Sequence, residues 1–583
     1  MTSTAIAAIL AALLQPAKGS IQGTVVDSVT NRPIAGAQIT GTRTPSPPIV
    51  PRGAGAVLGV AGGTITVDPP GTTITQFVHA AEITPVRTNA AGRFVLRDLE
   101  PGAYMLRASA KGYAQQEYSA RPDAPNALPR QINLSAGQAV KDVAFRLLPG
   151  GTVSGRITGS SGEPLVNIEV SVLRSAYQPD GRKTLQQSGV TVTNDRGEYR
   201  LLWITPGRYY LSAASSNRPI PGAPFDLAAI RNKYPRTFYP STRNLSAASQ
   251  IDVLPAMELS GTDFRLDEQP IYRVRGRVID PSSGQIPRNA SISIASRDSV
   301  TGSVFSSGSA YNPPDGTFEL RDVPSGSYVI SALLPSNFRP EAAQAHPTPR
   351  MATALVDVQD DVDGVVLQFV PAVSISGRVR VEDEASTENV RANISVRPAS
   401  QEGALESFPP PASTNADGTF TINGIAPGEY RITTSAFFGS PQGGLYVKEL
   451  RLGSTDLLTH PLVVDGPISG SVEIVYGKNG TQISGTVRGH SQQFLDEAQV
   501  VLVPDQRDRQ DLYKFIIKTP NGRFTFRSVP PGSYKLFAWE GIELFSWFDP
   551  EVLAQYETQG VSTTVNGTNV ILDLKAIAEN LTR

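Results

Sequence analysis

Between Arg523 and Leu536, Phe524, Phe526, Tyr534 and Leu536 alternate with polar neighbours at the period of two expected of strands that bury one face. Asn521-Gly522 marks a tight turn before the first strand and Pro531-Gly532 a reversal after it, so the stretch predicts a β-hairpin. The frame recurs at Gly92/Phe94/Leu96/Leu99/Gly102/Tyr104/Leu106 and at Gly197/Tyr199/Leu201/Ile204/Gly207/Tyr209/Leu211. It recurs again at Gly316/Phe318/Leu320/Val323/Gly326/Tyr328/Ile330 and at Gly418/Phe420/Ile422/Ile425/Gly428/Tyr430/Ile432. In every copy the second glycine follows the first by ten residues, with a tyrosine two later. The leading glycines lie 105, 119, 102 and 104 residues apart, which predicts five domains. Units of about a hundred residues can each bury a core, unlike the shorter repeats of a solenoid.

Each predicted domain opens with a β-branched strand around one glycine, as in Ile21-Gln22-Gly23-Thr24-Val25 and around Gly155, Gly276, Gly377 and Gly485. Each closes with an alternating strand: Val143/Phe145/Leu147, Phe264/Leu266, Val365/Leu367/Phe369, Val472/Ile474 and Val570/Leu572/Leu574. Six or seven short strands per unit with turn signals between them predict an all-β chain of two-sheet sandwiches. The boundaries fall at 20–148, 149–268, 269–371, 372–479 and 480–583, after a leader at 1–19. The first domain carries an insert at 42–75, whose prolines and small residues read as a mobile surface loop. The second carries one at 217–249, with a short helix expected over Asp226–Arg231 and Phe238-Tyr239-Pro240 packing back on the sheet. In the fifth, Trp539–Tyr556 is the densest aromatic stretch, and Asp549 followed by Pro550 predicts a capped helix of one or two turns across one end of the sandwich.

Composition narrows the function more than the fold. The 52 glycines and 47 prolines follow no G-X-Y period, which fits many turns and not collagen, and 40% apolar residues argue against disorder. With 52 basic and 53 acidic residues the chain has no electrostatic footprint for nucleic acid or anionic lipid. The absence of cysteine removes disulfides, thiolate metal ligands, cysteine nucleophiles and a lipid anchor on Cys. Ala5–Leu14 is an apolar run of signal-peptide length, and Ala17-Lys18-Gly19 offers small residues before Ser20, although the basic n-region is missing. Residues 1–19 are therefore expected to be a signal peptide, and the mature chain to be secreted, periplasmic or on the cell surface. No second apolar run is long enough to span a bilayer.

The succession hydrophobic-x-Gly-x-Val, Pro-hydrophobic-x-Gly-Ala, Asp/Asn-x-x-Gly-x-Phe and Pro-Gly-x-Tyr-x-Leu resembles the carboxypeptidase regulatory-like, or transthyretin-like, domain family. The first unit matches through Gly23, Pro33, Gly36-Ala37, Asn89, Gly92, Phe94, Pro101-Gly102 and Tyr104, and all five match where the tyrosine recurs. Ala538-Trp539-Glu540 and Phe548-Asp549-Pro550-Glu551 look like the C-terminal unit of multi-domain secreted proteins of this family in soil bacteria such as Acidobacteria. The resemblance implies a tandem array of five prealbumin-like or immunoglobulin-like β-sandwich domains outside the cytoplasm. It implies no reaction, because in metallocarboxypeptidases the similar domain is an accessory to the catalytic one.

The sequence holds no recognisable frame for catalytic chemistry. His79, His346, His460 and His490 fall in four different units, none in a zinc-binding frame, and no GxSxG elbow or complete P-loop occurs. Asp195, Asp315 and Asp417 sit beside turn glycines without the repeated acidic ligands of a calcium loop, and read as turn residues. No catalytic, cofactor or metal residue is assigned and no cofactor is expected. Trp203, Trp539, Trp547 and the recurring tyrosines either fill cores or form a sugar-stacking platform. If one unit holds a ligand or partner surface, the asymmetry of the fifth places it at Trp539, Phe545, Trp547 and Phe548. The alternative is that these rings seal the chain terminus as a lid, and solvent exposure separates the two. The expected function is a secreted non-enzymatic scaffold, adhesion or surface-interaction protein with an extracellular protein or polysaccharide as partner. The alternative is a carbohydrate-binding protein with a starch-binding-like sandwich.

Overall fold

The computed structural model describes residues 17–45, 81–119, 129–179, 181–216, 234–281, 283–297, 310–334, 350–369, 373–383, 391–399, 411–437, 444–478, 480–517 and 519–578, with four strand segments at 56–57, 64–67, 74–77 and 304–305. Most of the leader, the expected helix at Asp226–Arg231, His79 and His346 lie outside the described residues. The chain is nearly all β. It divides into two compact units, one of Met1–Arg174, Gln187–Ser212 and Phe238–Leu266, the other of Ser175–Gln186, Ala213–Thr237 and Asp267–Arg583.

One strand plan explains most of it. The opening strand Gly19–Asp27 pairs antiparallel with Arg93–Leu99 and parallel with the closing strand Ala139–Leu147. A facing sheet sets Gln38–Pro45 against Gly102–Ser109, which pairs on its other side with Gln131–Leu134. Between the sheets lie Ile21, Val25, Phe94, Leu96, Tyr104, Leu106, Phe145 and Leu147, all buried. The plan repeats where Gly151–Thr158 pairs with Glu198–Ile204, where Ile271–Ile279 pairs with Thr317–Pro324, and where Val373–Val381 pairs with Thr419–Ile425. At the end of the chain Thr481–Arg488 pairs with Arg523–Val529 and Val570–Lys575, facing Gln499–Pro504, Gly532–Trp539 and Val561–Val565. The opening-strand glycine is a packing requirement: a Cβ on Gly23 would lie 1.8 Å from the Val143 carbonyl oxygen, and one on Gly485 1.7 Å from that of Leu572.

The predicted hairpin is corrected. All its apolar positions are buried, but its two strands belong to opposite sheets and do not pair with each other. Period-two alternation reports that a strand has one buried face and is silent about its neighbour. Here the two apolar faces meet across the core, so the Pro-Gly reversal is a corner between sheets. The tyrosine holds this corner. Its buried hydroxyl donates to the carbonyl four residues back: Tyr104 to Glu100 at 2.6 Å, Tyr209 to Thr205 at 2.7 Å, Tyr430 to Ala426 at 2.8 Å and Tyr534 to Pro530 at 3.0 Å. Burial raises these phenols, Tyr534 to about 12.

A β-bulge precedes each corner, where two residues oppose one on the opening strand. Its second residue takes a left-handed backbone: Asp98, Trp203, Asp322, Gly424 and Ser528, with φ of 56°, 58°, 56°, 82° and 53°. A buried threonine also recurs. Thr88 accepts from the Ala37 N–H and donates to the Ile34 carbonyl; Thr193 does the same with Ile168 and Leu165, and Thr519 with Ala498 and Leu495.

The insert at 42–75 is not simply a loop. Residues 42–45 continue the strand that pairs with Gly102–Met105, and 56–57, 64–67 and 74–77 pair as a small three-stranded sheet. The alternation of Thr64-Ile65-Thr66-Val67 suits such a strand. In the second insert Phe238 is buried and Tyr239 meets Phe264 edge-on at 6.0 Å.

Candidate functional site

The aromatic stretch of the last repeat builds a second small core on the outer face of its sheet. Along Gln499–Pro504 every residue is buried: Val500 and Leu502 face the sandwich, while Val501 and Val503 face the other way. Phe537 and Trp539 on the neighbouring strand stack at 5.2 Å over that outer side. Two apolar faces on one sheet require a second cover, which the segment after Trp539 supplies. Trp547 packs against Phe515 at 5.3 Å and Phe545 at 5.7 Å, and Tyr513 meets Phe548 at 4.8 Å. The helix Pro550–Ala554 forms with the predicted cap but lies over the outer sheet face, not across one end of the sandwich: Asp549 accepts from the Glu551 N–H at 2.9 Å, and Leu553 is buried against that face.

This geometry corrects half of the predicted surface. Trp539 is 1% exposed and Trp547 0%, so neither indole offers a face to a ligand. Both are lid residues, enclosed because the outer sheet face is apolar. Neither indole N–H has an acceptor among the described residues. Phe545 and Phe548 are half-buried at the rim.

Asp549 also accepts from the Tyr177 hydroxyl at 2.6 Å and pairs with Lys183 at 3.1 Å; both partners lie in Ser175–Gln186, within the same compact unit. The Tyr177 hydrogen bond, reinforced by Lys183 and opposed by burial, holds the Asp549 carboxyl below its ordinary range.

The turn carboxylates serve their own turns. Asp315 accepts from the Thr317 N–H at 2.9 Å and hydroxyl at 2.7 Å, and Asp417 from those of Thr419 at 3.0 and 2.7 Å. Among the described residues no three His, Asp or Glu side chains gather as a metal site. His460 contacts Thr459 and the Asp456 carbonyl through Nδ1.

The third tryptophan behaves differently. Trp203 is 44% exposed and occupies the left-handed bulge position. Aromatic type alone groups it with the other two, and its place in the repeat frame sets it apart: six residues after the leading glycine the other copies have Asp98, Asp322, Gly424 and Ser528.

Residues 20–148 match the family model described as carboxypeptidase regulatory-like domain. No curated protein matches the sequence. Similar solved structures include the Bacillus anthracis TIE protein, at 9% identity over 70% of this chain and 68% of that one with a TM-score of 0.16. They include a streptococcal ancillary pilin, at 13% identity over 53% of this chain and 99% of that one with a TM-score of 0.17. BcpA, the major pilin subunit of Bacillus cereus, is 11% identical over 73% of this chain and 98% of that one, with a TM-score of 0.14. No described helix is long and apolar enough to cross a membrane. What the sequence match shows is a similarity to the carboxypeptidase regulatory-like domain over residues 20–148, the first of the repeats.

Proposed function

We propose that this chain is exported after cleavage behind Gly19 and serves, without catalysis, as a scaffold or adhesion protein of five sandwich modules, divided as 20–148, 149–268, 269–371, 372–479 and 480–583. One observation supports this reading most: the polar groups that recur from repeat to repeat are engaged by the fold itself. The corner tyrosines bind the backbone carbonyl four residues earlier, and the buried threonines bridge a neighbouring N–H and carbonyl. What differs between copies is their outer surface, as expected of one scaffold displayed with several faces. In this reading Phe545 and Phe548 are the part of the predicted aromatic surface left to a partner, an extracellular protein or polysaccharide. The test is cell fractionation of the expressed protein with N-terminal sequencing. The expected result is a chain outside the cytoplasm that begins at Ser20; a cytoplasmic chain that keeps its first nineteen residues overturns the proposal.

A further inference from the structure

The second repeat breaks the pattern at three positions, all toward exposed apolar side chains. Its bulge pair is Leu202-Trp203, where the other copies have Arg97-Asp98, Arg321-Asp322, Asn423-Gly424 and Arg527-Ser528. The residue after the strand that pairs with the corner glycine is Leu254, where the others have Ser135, Gln359, Asp465 and Asn566. Leu202, Trp203 and Leu254 are 46%, 44% and 59% exposed. The backbones of Trp203 and Leu254 approach the neighbouring Gly150 and Gly151: a Cβ on Gly150 would lie 2.5 Å from the Trp203 Cα, and one on Gly151 3.2 Å from the Leu254 carbonyl oxygen. The fold asks for none of this, since polar pairs satisfy the same bulge four times. A bulky residue in the left-handed region is a steric outlier.

Along the same strand the outward residues Glu198 and Arg200 lead from this patch into a shallow hollow of about 520 Å³ that Arg156, Asn194 and Asp263 also line. Several of its polar groups are paired. Arg200 pairs with Glu258 at 3.1 Å, the Asn194 amide donates to Glu198 at 3.1 Å, and Asp263 accepts from the Arg156 N–H at 2.7 Å. Two guanidinium groups stand beside two carboxylates in the hollow, so it favours neither an anion nor a cation. It offers donors and acceptors on the strand that also carries the exposed Trp203, three residues beyond Arg200.

We infer that the outer sheet face of the second repeat, from Trp203 through Arg200 to Asp263, is a binding site for a neutral polysaccharide. The indole receives the apolar face of a sugar ring, and the hollow hydrogen-bonds the hydroxyls of the neighbouring units. An apolar patch alone would suit a protein partner equally; the charge-balanced hollow in line with it favours the sugar chain. The inference rests on the reading of the protein as a surface-interaction scaffold and names its partner class.

The test is affinity electrophoresis of the purified full chain through gels containing starch, xylan, glucomannan or mixed-linkage β-glucan, with alginate as an acidic control. Quenching of tryptophan fluorescence by acrylamide is measured alongside. At least one neutral polymer should retard the protein and shield Trp203, the exposed one of its three tryptophans. Trp203→Asp should weaken retardation about tenfold, the scale of one aromatic contact. Asp occupies this bulge position at 98 and 322, so the melting temperature should not fall. The double variant Leu202→Arg, Trp203→Asp rebuilds the Arg-Asp pair of those copies and separates loss of ligand from misfolding. The inference is overturned if no neutral polymer retards the wild type, if only alginate does, or if both variants bind as the wild type does. A cytoplasmic chain that still binds would sink the surface reading and leave the site standing, and an exported chain that binds no polymer would do the reverse.

Discussion

Trp547 and Trp203 sit in repeats built on the same strand plan, and the chain treats them in opposite ways. Trp547 belongs to an aromatic cluster that covers an apolar sheet face and is wholly buried. Trp203 stands on a bulge that polar pairs fill in the other four copies, and it is nearly half exposed. The comparison teaches that aromatic density along a sequence points to a core, because rings close together bury one another. An isolated departure from a repeat points to a surface, because the repeat already states what the fold needs.

The largest expected effect is on the buried partner of this comparison. Trp547→Ala should destabilise the last repeat by about 3–5 kcal/mol, a large share of the roughly 5–15 kcal/mol typical of a domain. Trp203→Ala should cost under about 1 kcal/mol, since it removes a ring that is already half in water. Denaturant titration of both variants checks the pair; equal losses would erase the distinction between lid and surface.

Where the two repeats share a residue, they should respond alike. Thr193→Val and Thr519→Val each leave a buried N–H and a carbonyl without their hydroxyl partner, and each should lose about 2 kcal/mol in urea melts. A difference of more than about 1 kcal/mol between them would mean that the two threonine positions are not equivalent. Tyr209→Phe and Tyr534→Phe remove one hydrogen bond each and should cost about 1 kcal/mol, read by calorimetry.

The smallest effect concerns acid. The folded Asp549 carboxyl titrates below its unfolded value of about 3.9. Its stabilisation is therefore present above that value and is lost as the pH falls through the lower, folded one. The last repeat should lose stability more steeply below about pH 4 in the wild type than in Asp549→Asn. Parallel pH profiles of the two would contradict the role of Tyr177 and Lys183.

Much of this fold is legible in the sequence. The apolar positions of the recurring frame are all in cores, and Asp549 caps the helix foreseen for it. Pairing was not legible, because alternation gives a strand one apolar face and does not name its neighbour, so two strands of opposite sheets looked like a hairpin. The bulge was hidden because its left-handed position holds Asp, Trp and Ser as well as Gly. Thr88, Thr193 and Thr519 were passed over because a threonine just before a turn looks like any polar loop residue until its partners, 51, 25 and 21 residues distant, are known. For Trp539 and Trp547 the sequence leaves surface and lid both open, and burial selects the lid. A strand buried on both faces, as Gln499–Pro504 is, announces a second layer, and the aromatics after it are that layer.

The parallel pairing of each opening strand with its closing strand has a mechanical consequence. Tension enters a repeat at the start of the one and leaves at the end of the other, so the two strands are drawn past each other and their hydrogen bonds are loaded together instead of being unzipped one by one. A protein stretched between two attachments would then resist along every repeat, and single-molecule pulling should give one high-force event for each. Rupture at low force would mean that the strands peel apart.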